Sequence, residues 1–167
     1  YKLVGDSVQR NHGYVDKYIG DAVMAVFGAI GSTDVMAREW QENCVAAARS
    51  VQALAPVFKL NSVDPVLKKH FQQLTSEQLR NVGKIRIGLE SGVVEIARFD
   101  RGNESEVTFI GTPVNIASRI LAQAMPGEVW AGANLHANAL KTADVSESRE
   151  VEYKNLPGRF QAYLLGT

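Results

Sequence analysis

Lys17 and Asp21 stand four residues apart, on either side of Gly20, in VDKYIGDAVMAVFG (residues 15–28), a run that is otherwise hydrophobic. If the run is a strand, alternation puts Lys17 on the face of Val15 and Ile19, and Asp16 on the opposite face with Tyr18. A lysine on an apolar face either extends its ammonium past the sheet edge or donates to a bound partner. Asp21 falls at a hairpin tip, where aspartate also serves ordinary turn geometry. A second pair, Asn115 and Arg119 in TFIGTPVNIASR (108–119), is four apart and shares one face if the segment is helical. Such a pair is either a solvated helix edge or a fork of donors for phosphate and sugar oxygens. Arg86 interrupts the apolar run IRIG, again as an edge residue or a phosphate clamp.

These side chains need elements to hold them. Leu3, Val4 and Val8 predict a helix ended at Gly13. Residues 14–19 and 22–27 form β-rich runs joined by Gly20-Asp21, the Gly-X pair of a two-residue type II′ turn. Val35, Trp40, Cys44, Ala47, Val51 and Leu54 predict a helix to about Leu60, and a more polar one is expected from Val66 to Val82. Lys84 to Phe99 offers two strand-like runs bent at Ser91-Gly92, RGNESE reads as a loop, and VTFIG as a short strand. Thr112 as N-cap and Pro113 as first residue announce a helix over 113–124, with Val114, Ala117, Leu121 and Ala124 as its core stripe. A strand (EVWAG), a helix near 133–140, and closing strands around 150–153 and 161–164 complete the pattern. The expected fold class is α+β, an α/β sandwich of one sheet with helices packed against it, in a single domain spanning 1–167.

Composition narrows the function. Of 167 residues 46% are hydrophobic and 22% charged, enough apolar mass for a true core. Lys plus Arg equals Asp plus Glu at 18 each, so no general basic excess points to nucleic acid or anionic lipid. Cys44 is the one cysteine, which excludes an internal disulfide or a multi-cysteine metal site and reads as core packing. The longest apolar run, residues 22–31, is too short to span a bilayer, so no membrane contact is expected of this segment. The chain starts at Tyr1, within an expected helix, which suggests a fragment of a longer polypeptide.

Taken together, NHGYVDKYIGDAVMAVFG, IRIGLESGVV, FIGTPVNIASR, PGEVW and EYKNLPG resemble, in order and over nearly the whole chain, the class III nucleotidyl cyclases, the catalytic domain of adenylyl and guanylyl cyclases. The resemblance implies a ferredoxin-like βαββαβ core, here apparently without its first strand and part of its first helix. It implies a dimer whose active sites lie between two such domains, and conversion of a nucleoside triphosphate into the 3′,5′-cyclic monophosphate and pyrophosphate. Two Mg²⁺ or Mn²⁺ ions per site are implied, since in-line displacement at phosphorus requires an activated nucleophile and a neutralised leaving charge.

Asp21 matches one of the family's two metal-binding aspartates. The other belongs to a strand ahead of residue 1, and neither Asp6, on the first helix, nor Asp16, facing away from Lys17, is a convincing substitute; the fragment alone is therefore expected to be inactive. Lys17 matches the base-reading lysine and Thr108 its partner, a pairing that looks like adenine selection because guanylyl cyclases typically carry glutamate and cysteine there. Phe109, beside Thr108, joins the substrate-contacting set. Asn115 matches the ribose-orienting asparagine, Arg119 the arginine that stabilises charge on the α-phosphoryl group, and Arg86 and Lys154 the basic residues around the β- and γ-phosphates. With both halves of the site in one chain, a homodimer using ATP is expected, in the cytoplasm, as part of a larger signalling protein. The alternatives are a guanylyl or relaxed-specificity cyclase, a cyclase-like module that binds nucleotide or a partner domain without turnover, and a related palm-type nucleotide polymerase or dinucleotide cyclase, which shares the sheet but should lack the VNIASR helix. Glu90 stands where the family often has histidine, Ala97 and Phe99 where it has small residues, and Asn155 where it has glycine.

Overall fold

The computed structural model describes residues 1–28, 37–53, 69, 72–102, 104–140, 144–152 and 157–166. Five helices and eight strands lie among them: α1 (Lys2–Arg10), β1 (Gly13–Ile19), β2 (Ala22–Phe27), α2 (Ala37–Gln52), α3 (Ser76–Asn81), β3 (Ile87–Leu89), β4 (Glu95–Arg101), β5 (Glu104–Ile110), α4 (Thr112–Gln123), β6 (Val129–Gly132), α5 (Ala133–Ala139), β7 (Val145–Glu152) and β8 (Arg159–Leu165). The α+β class holds. Instead of one sheet, the described strands form a four-stranded sheet in the order β3-β6-β8-β7 and two antiparallel hairpins, β1-β2 and β4-β5.

The core explains why helices cover both faces of the larger sheet rather than one. β6 reads VWAG and is buried at every position, the mark of a strand covered on both sides. Val129 and Ala131 point to one cluster, with Val45 and Ala48 of α2, Leu89, Leu135 of α5 and Leu165. Trp130 points to the other, with Ile116, Ile120 and Ala124 of α4, Val151 and Ala162. The sheet is therefore a shared wall, with α2 and α5 on one side and α4 on the other. Cys44 packs against the first cluster, and burial pushes its thiol up to about 12.

Several expected boundaries move. α1 stops at Arg10 because His12, not Gly13, takes the left-handed backbone conformation, with φ 59°. Gly13 instead begins β1, where a Cβ would collide with the side chains of Phe27 and Val8. RGNESE is not all loop: the β4-β5 ladder runs on to the Arg101–Glu104 pair. α4 is capped one residue early, at Gly111, with no side-chain cap from Thr112. Its fully buried stripe is Ile116, Ile120 and Ala124, while Ala117 and Leu121 lie over β3. Of the polar helix expected over 66–82, Ser76–Asn81 is described; Thr75 caps it, its hydroxyl accepting from the Gln78 amide at 3.2 Å while the Gln78 side chain accepts from the Thr75 amide at 2.8 Å.

Candidate active site

The β1-β2 hairpin presents Asp21. Ile19 pairs with Ala22, so Gly20 and Asp21 form a two-residue turn, and a positive φ at Gly20 (59°) without one at Asp21 is the type II′ requirement. Tyr1 fastens the tip to α1: its hydroxyl donates to the Gly20 carbonyl and its ring meets Tyr18 edge-on at 5.0 Å. Asp21 is exposed, and its carboxylate makes no hydrogen bond or ion pair among the described residues.

Lys17 does not keep to simple alternation. The register slips between Val15, paired with Ala25, and Lys17, paired with Met24, leaving Asp16 opposite no partner in a β-bulge. A bulge turns consecutive side chains toward one side, and the Lys17 ammonium comes to 3.5 Å from Asp16 Oδ2. The expectation that Asp16 faces away from Lys17 is thereby corrected. The Asp16 side chain is wholly buried (0% exposed) beside a Lys17 side chain that is 31% exposed.

Ninety-two residues along the chain, Thr108 donates from Oγ1 to the same Asp16 Oδ2 at 2.8 Å. β5 thus docks against β1 through Asp16–Thr108 and, one residue on, through the edge-to-face contact of Phe109 with Tyr14 at 6.0 Å. The Phe109 ring is spent on this packing and is 4% exposed. Asp16 Oδ1 is buried and has no hydrogen-bond partner among the described residues. The aspartate that joins Lys17 to Thr108 was given no part in the base-reading pair by sequence reasoning. Its type was a signal, a carboxylate within an apolar strand, but the bulge that swings it toward Lys17 leaves no mark in residue spacing.

α4 carries Asn115 and Arg119. Gly111, Thr112 and Pro113 start it tightly, and Gly88 sets its height above β3: a Cβ there would lie within 2.6 Å of the Leu121 backbone nitrogen and closer still to the Ala117 carbonyl. Asn115 is exposed and Arg119 half-buried, and neither side chain has an intramolecular hydrogen bond or ion pair among the described residues. Their donors are therefore available to a ligand. Arg86, just ahead of β3, is exposed and equally uncommitted. Lys154 and Asn155 lie outside the described residues.

Glu90, which stands where the family often has histidine, follows β3. It is half-buried and accepts from the amides of Ser91 at 2.8 Å and Leu135 at 3.1 Å, so it caps α5, whose own N-cap, Gly132, has no side chain to offer. Burial raises its carboxyl above the usual range, and the backbone donors only partly offset this.

Among the described residues no three His, Cys, Asp or Glu side chains gather into a metal cage. Mg²⁺ is usually held by one or two carboxylates together with substrate phosphates. Asp21, exposed and unpartnered at a turn tip, is a carboxylate of this kind.

The whole chain, residues 1–167, matches the family model described as the adenylate and guanylate cyclase catalytic domain, and the chain belongs to that family. An uncharacterised protein of Mycobacterium tuberculosis is 29% identical over 135 residues, covering 80% of this chain. An adenylate cyclase of Anabaena cylindrica is 27% identical over 117 residues, covering 70%. The chain spans about a fifth of the length of each. Among solved structures it resembles the guanylyl cyclase Cya2 (TM-score 0.69, 17% identity, 97% of this chain and 74% of that one). It also resembles the adenylyl cyclase CyaB of P. aeruginosa (TM-score 0.67, 23% identity, 99% and 78%). Both are likenesses of fold, and the fold is common to the two specificities.

Proposed function

We propose that the chain is the catalytic domain of an adenylyl cyclase that converts ATP to 3′,5′-cyclic AMP and pyrophosphate between two copies of itself. The observation that carries the adenine assignment is the meeting of Lys17 and Thr108 on one buried carboxylate. Lys17 would donate to adenine N1, a nitrogen that carries a hydrogen in guanine, and Thr108 would accept from the exocyclic amine.

In the reaction the ribose 3′-hydroxyl loses its proton, its oxygen bonds to the α-phosphorus, and the bond from that phosphorus to the bridging oxygen breaks, releasing pyrophosphate. The Asn115 amide would orient the ribose. The Arg119 guanidinium, four residues on along the same helix face, would meet the charge that grows on the α-phosphoryl oxygens. Arg86 and Lys154 would bind the β- and γ-phosphates. Asp21 would hold divalent metal together with those phosphates, and the metal, Mg²⁺ or Mn²⁺, would supply charge neutralisation and acidify the 3′-hydroxyl.

A second copy is supported by the apolar surface of the β4-β5 hairpin and its approach, where Val93, Ile96, Phe99, Val107 and Ile110 are all exposed. No helix among the described residues is long and apolar enough to cross a membrane. Use of ATP as substrate would suit the cytoplasm, where that nucleotide is abundant. The test is turnover by the intact natural protein with ATP or GTP and either metal, the cyclic products being separated and quantified. ATP-selective production of cyclic AMP is expected. No cyclic product would refute the enzyme, and equal or greater use of GTP would replace the adenylyl reading with a relaxed or guanylyl one.

A further inference from the structure

We propose that Asp16 is the positioning residue that makes the Lys17–Thr108 pair read adenine, an inference that rests on the adenylyl reading above. A threonine hydroxyl has one proton and two lone pairs, so left free it donates to a guanine carbonyl as readily as it accepts from an adenine amine. It does not discriminate by itself. In this chain the proton is committed, because Thr108 Oγ1 donates to Asp16 Oδ2 at 2.8 Å.

The recipient is a carboxylate with no solvent-exposed surface, and such charge-assisted bonds are roughly twice as strong as neutral ones and are strengthened by low local dielectric. What Thr108 then offers a base is a lone pair, which accepts from an amine and repels a carbonyl oxygen. The Lys17 ammonium, 3.5 Å from the same carboxylate oxygen, offers donors only. One buried aspartate thereby fixes Thr108 as an acceptor beside the donor Lys17, and donor opposite the ring nitrogen with acceptor opposite the amine is the edge pattern of adenine. Thr108 is 4% exposed, so a base would reach it past the half-exposed Lys17.

Two further features fit a positioning role rather than packing. The bulge that breaks the β1-β2 ladder is what brings Asp16 beneath Lys17, at the cost of a regular register. Asp16 Oδ1 is buried without a partner among the described residues, an arrangement that packing alone would not favour.

The test measures kcat/KM for ATP and GTP in the intact natural protein, in Asp16→Asn, in Thr108→Val and in the double variant. An asparagine amide can donate to Thr108 and release its proton, so Asp16→Asn should lower the ATP-to-GTP ratio by about tenfold or more, as expected for a hydrogen bond to a charged group. Thr108→Val should lower the ratio similarly, and Asp16→Asn should add nothing in its background. An unchanged ratio in Asp16→Asn, equal losses with both nucleotides, or an undiminished effect in the Thr108→Val background would each overturn the proposal while leaving an ATP-selective cyclase intact. A natural protein that prefers GTP refutes the adenine reading and this inference with it. If neither nucleotide is turned over, the same ratio is taken from equilibrium binding of ATP and GTP, with the same outcomes for Asp16. If Asp16→Asn does not fold, the Thr108 hydroxyl proton is followed by NMR in the unsubstituted protein with ATP bound. Protection from solvent exchange is expected, and exchange at the rate of an exposed threonine overturns the proposal.

Discussion

Gly88→Ala probes the link between a strand and the catalytic helix it supports. The added Cβ would lie within 2.6 Å of the Leu121 backbone nitrogen and closer still to the Ala117 carbonyl, whereas ordinary contacts begin at 3.4 Å. Both obstacles are backbone atoms of α4, so no side chain can rotate away; helix and strand must separate by roughly 1 Å, and overpacking of this kind costs about 1–3 kcal/mol. For a domain of this size that corresponds to a melting temperature lower by about 2–12 °C. The same displacement moves Asn115 and Arg119, since both ride on α4, and a 1 Å misplacement of reacting groups can cost about a hundredfold in rate. Thermal unfolding followed by circular dichroism and steady-state turnover on the same preparations read the two effects. Unaltered melting and unaltered kcat would refute the reasoning; altered melting with unaltered kcat would show that α4 holds its catalytic face independently of β3.

Arg119→Ala should lower kcat by about 10²- to 10³-fold, the scale for one preorganised donor at a developing oxyanion. It should leave the melting temperature nearly unchanged, because the guanidinium has no intramolecular partner among the described residues; a matching loss of stability would mark Arg119 as structural. Glu90→Gln should gain stability relative to the unsubstituted protein as pH rises from about 4 toward 7. The carboxyl is raised in the folded state, so its favourable contribution is complete below the unfolded value and is lost as pH climbs through the folded one, whereas glutamine does not titrate. Melting temperatures across that range check this, and a difference independent of pH would contradict it.

What could be read from residue types, and what could not, divides along a physical line. Local geometry was readable: Gly20-Asp21 demands a type II′ turn, and the turn forms, because a positive φ at a two-residue hairpin is a property of two residues and not of the fold. The Asn115–Arg119 face follows equally from helical spacing. The fate of β6 was not readable, since a four-residue apolar run does not say whether one face or both will be covered; the answer lies in α2, α4 and α5 meeting it from two sides. The capping role of Glu90 was unreadable for the same reason, since the helix end it caps, at Leu135, lies more than forty residues away.

Asp16 shows where the division matters for function. Period-two alternation assigned it to the face away from Lys17, and one inserted residue in the ladder reversed that assignment. Motif comparison fares no better, because it aligns Lys17 and Thr108 and passes over the aspartate that both of them meet. The lysine's donors suit the ring nitrogen of adenine, but a threonine is compatible with either purine until something fixes which of its hydrogen-bonding options remains. On the proposed reading, specificity in this site belongs to a triad assembled from two hairpins, two of its members adjacent in sequence and the third ninety-two residues from Asp16, and the triad becomes visible only when the bulge and the β1-β5 contact are both in view.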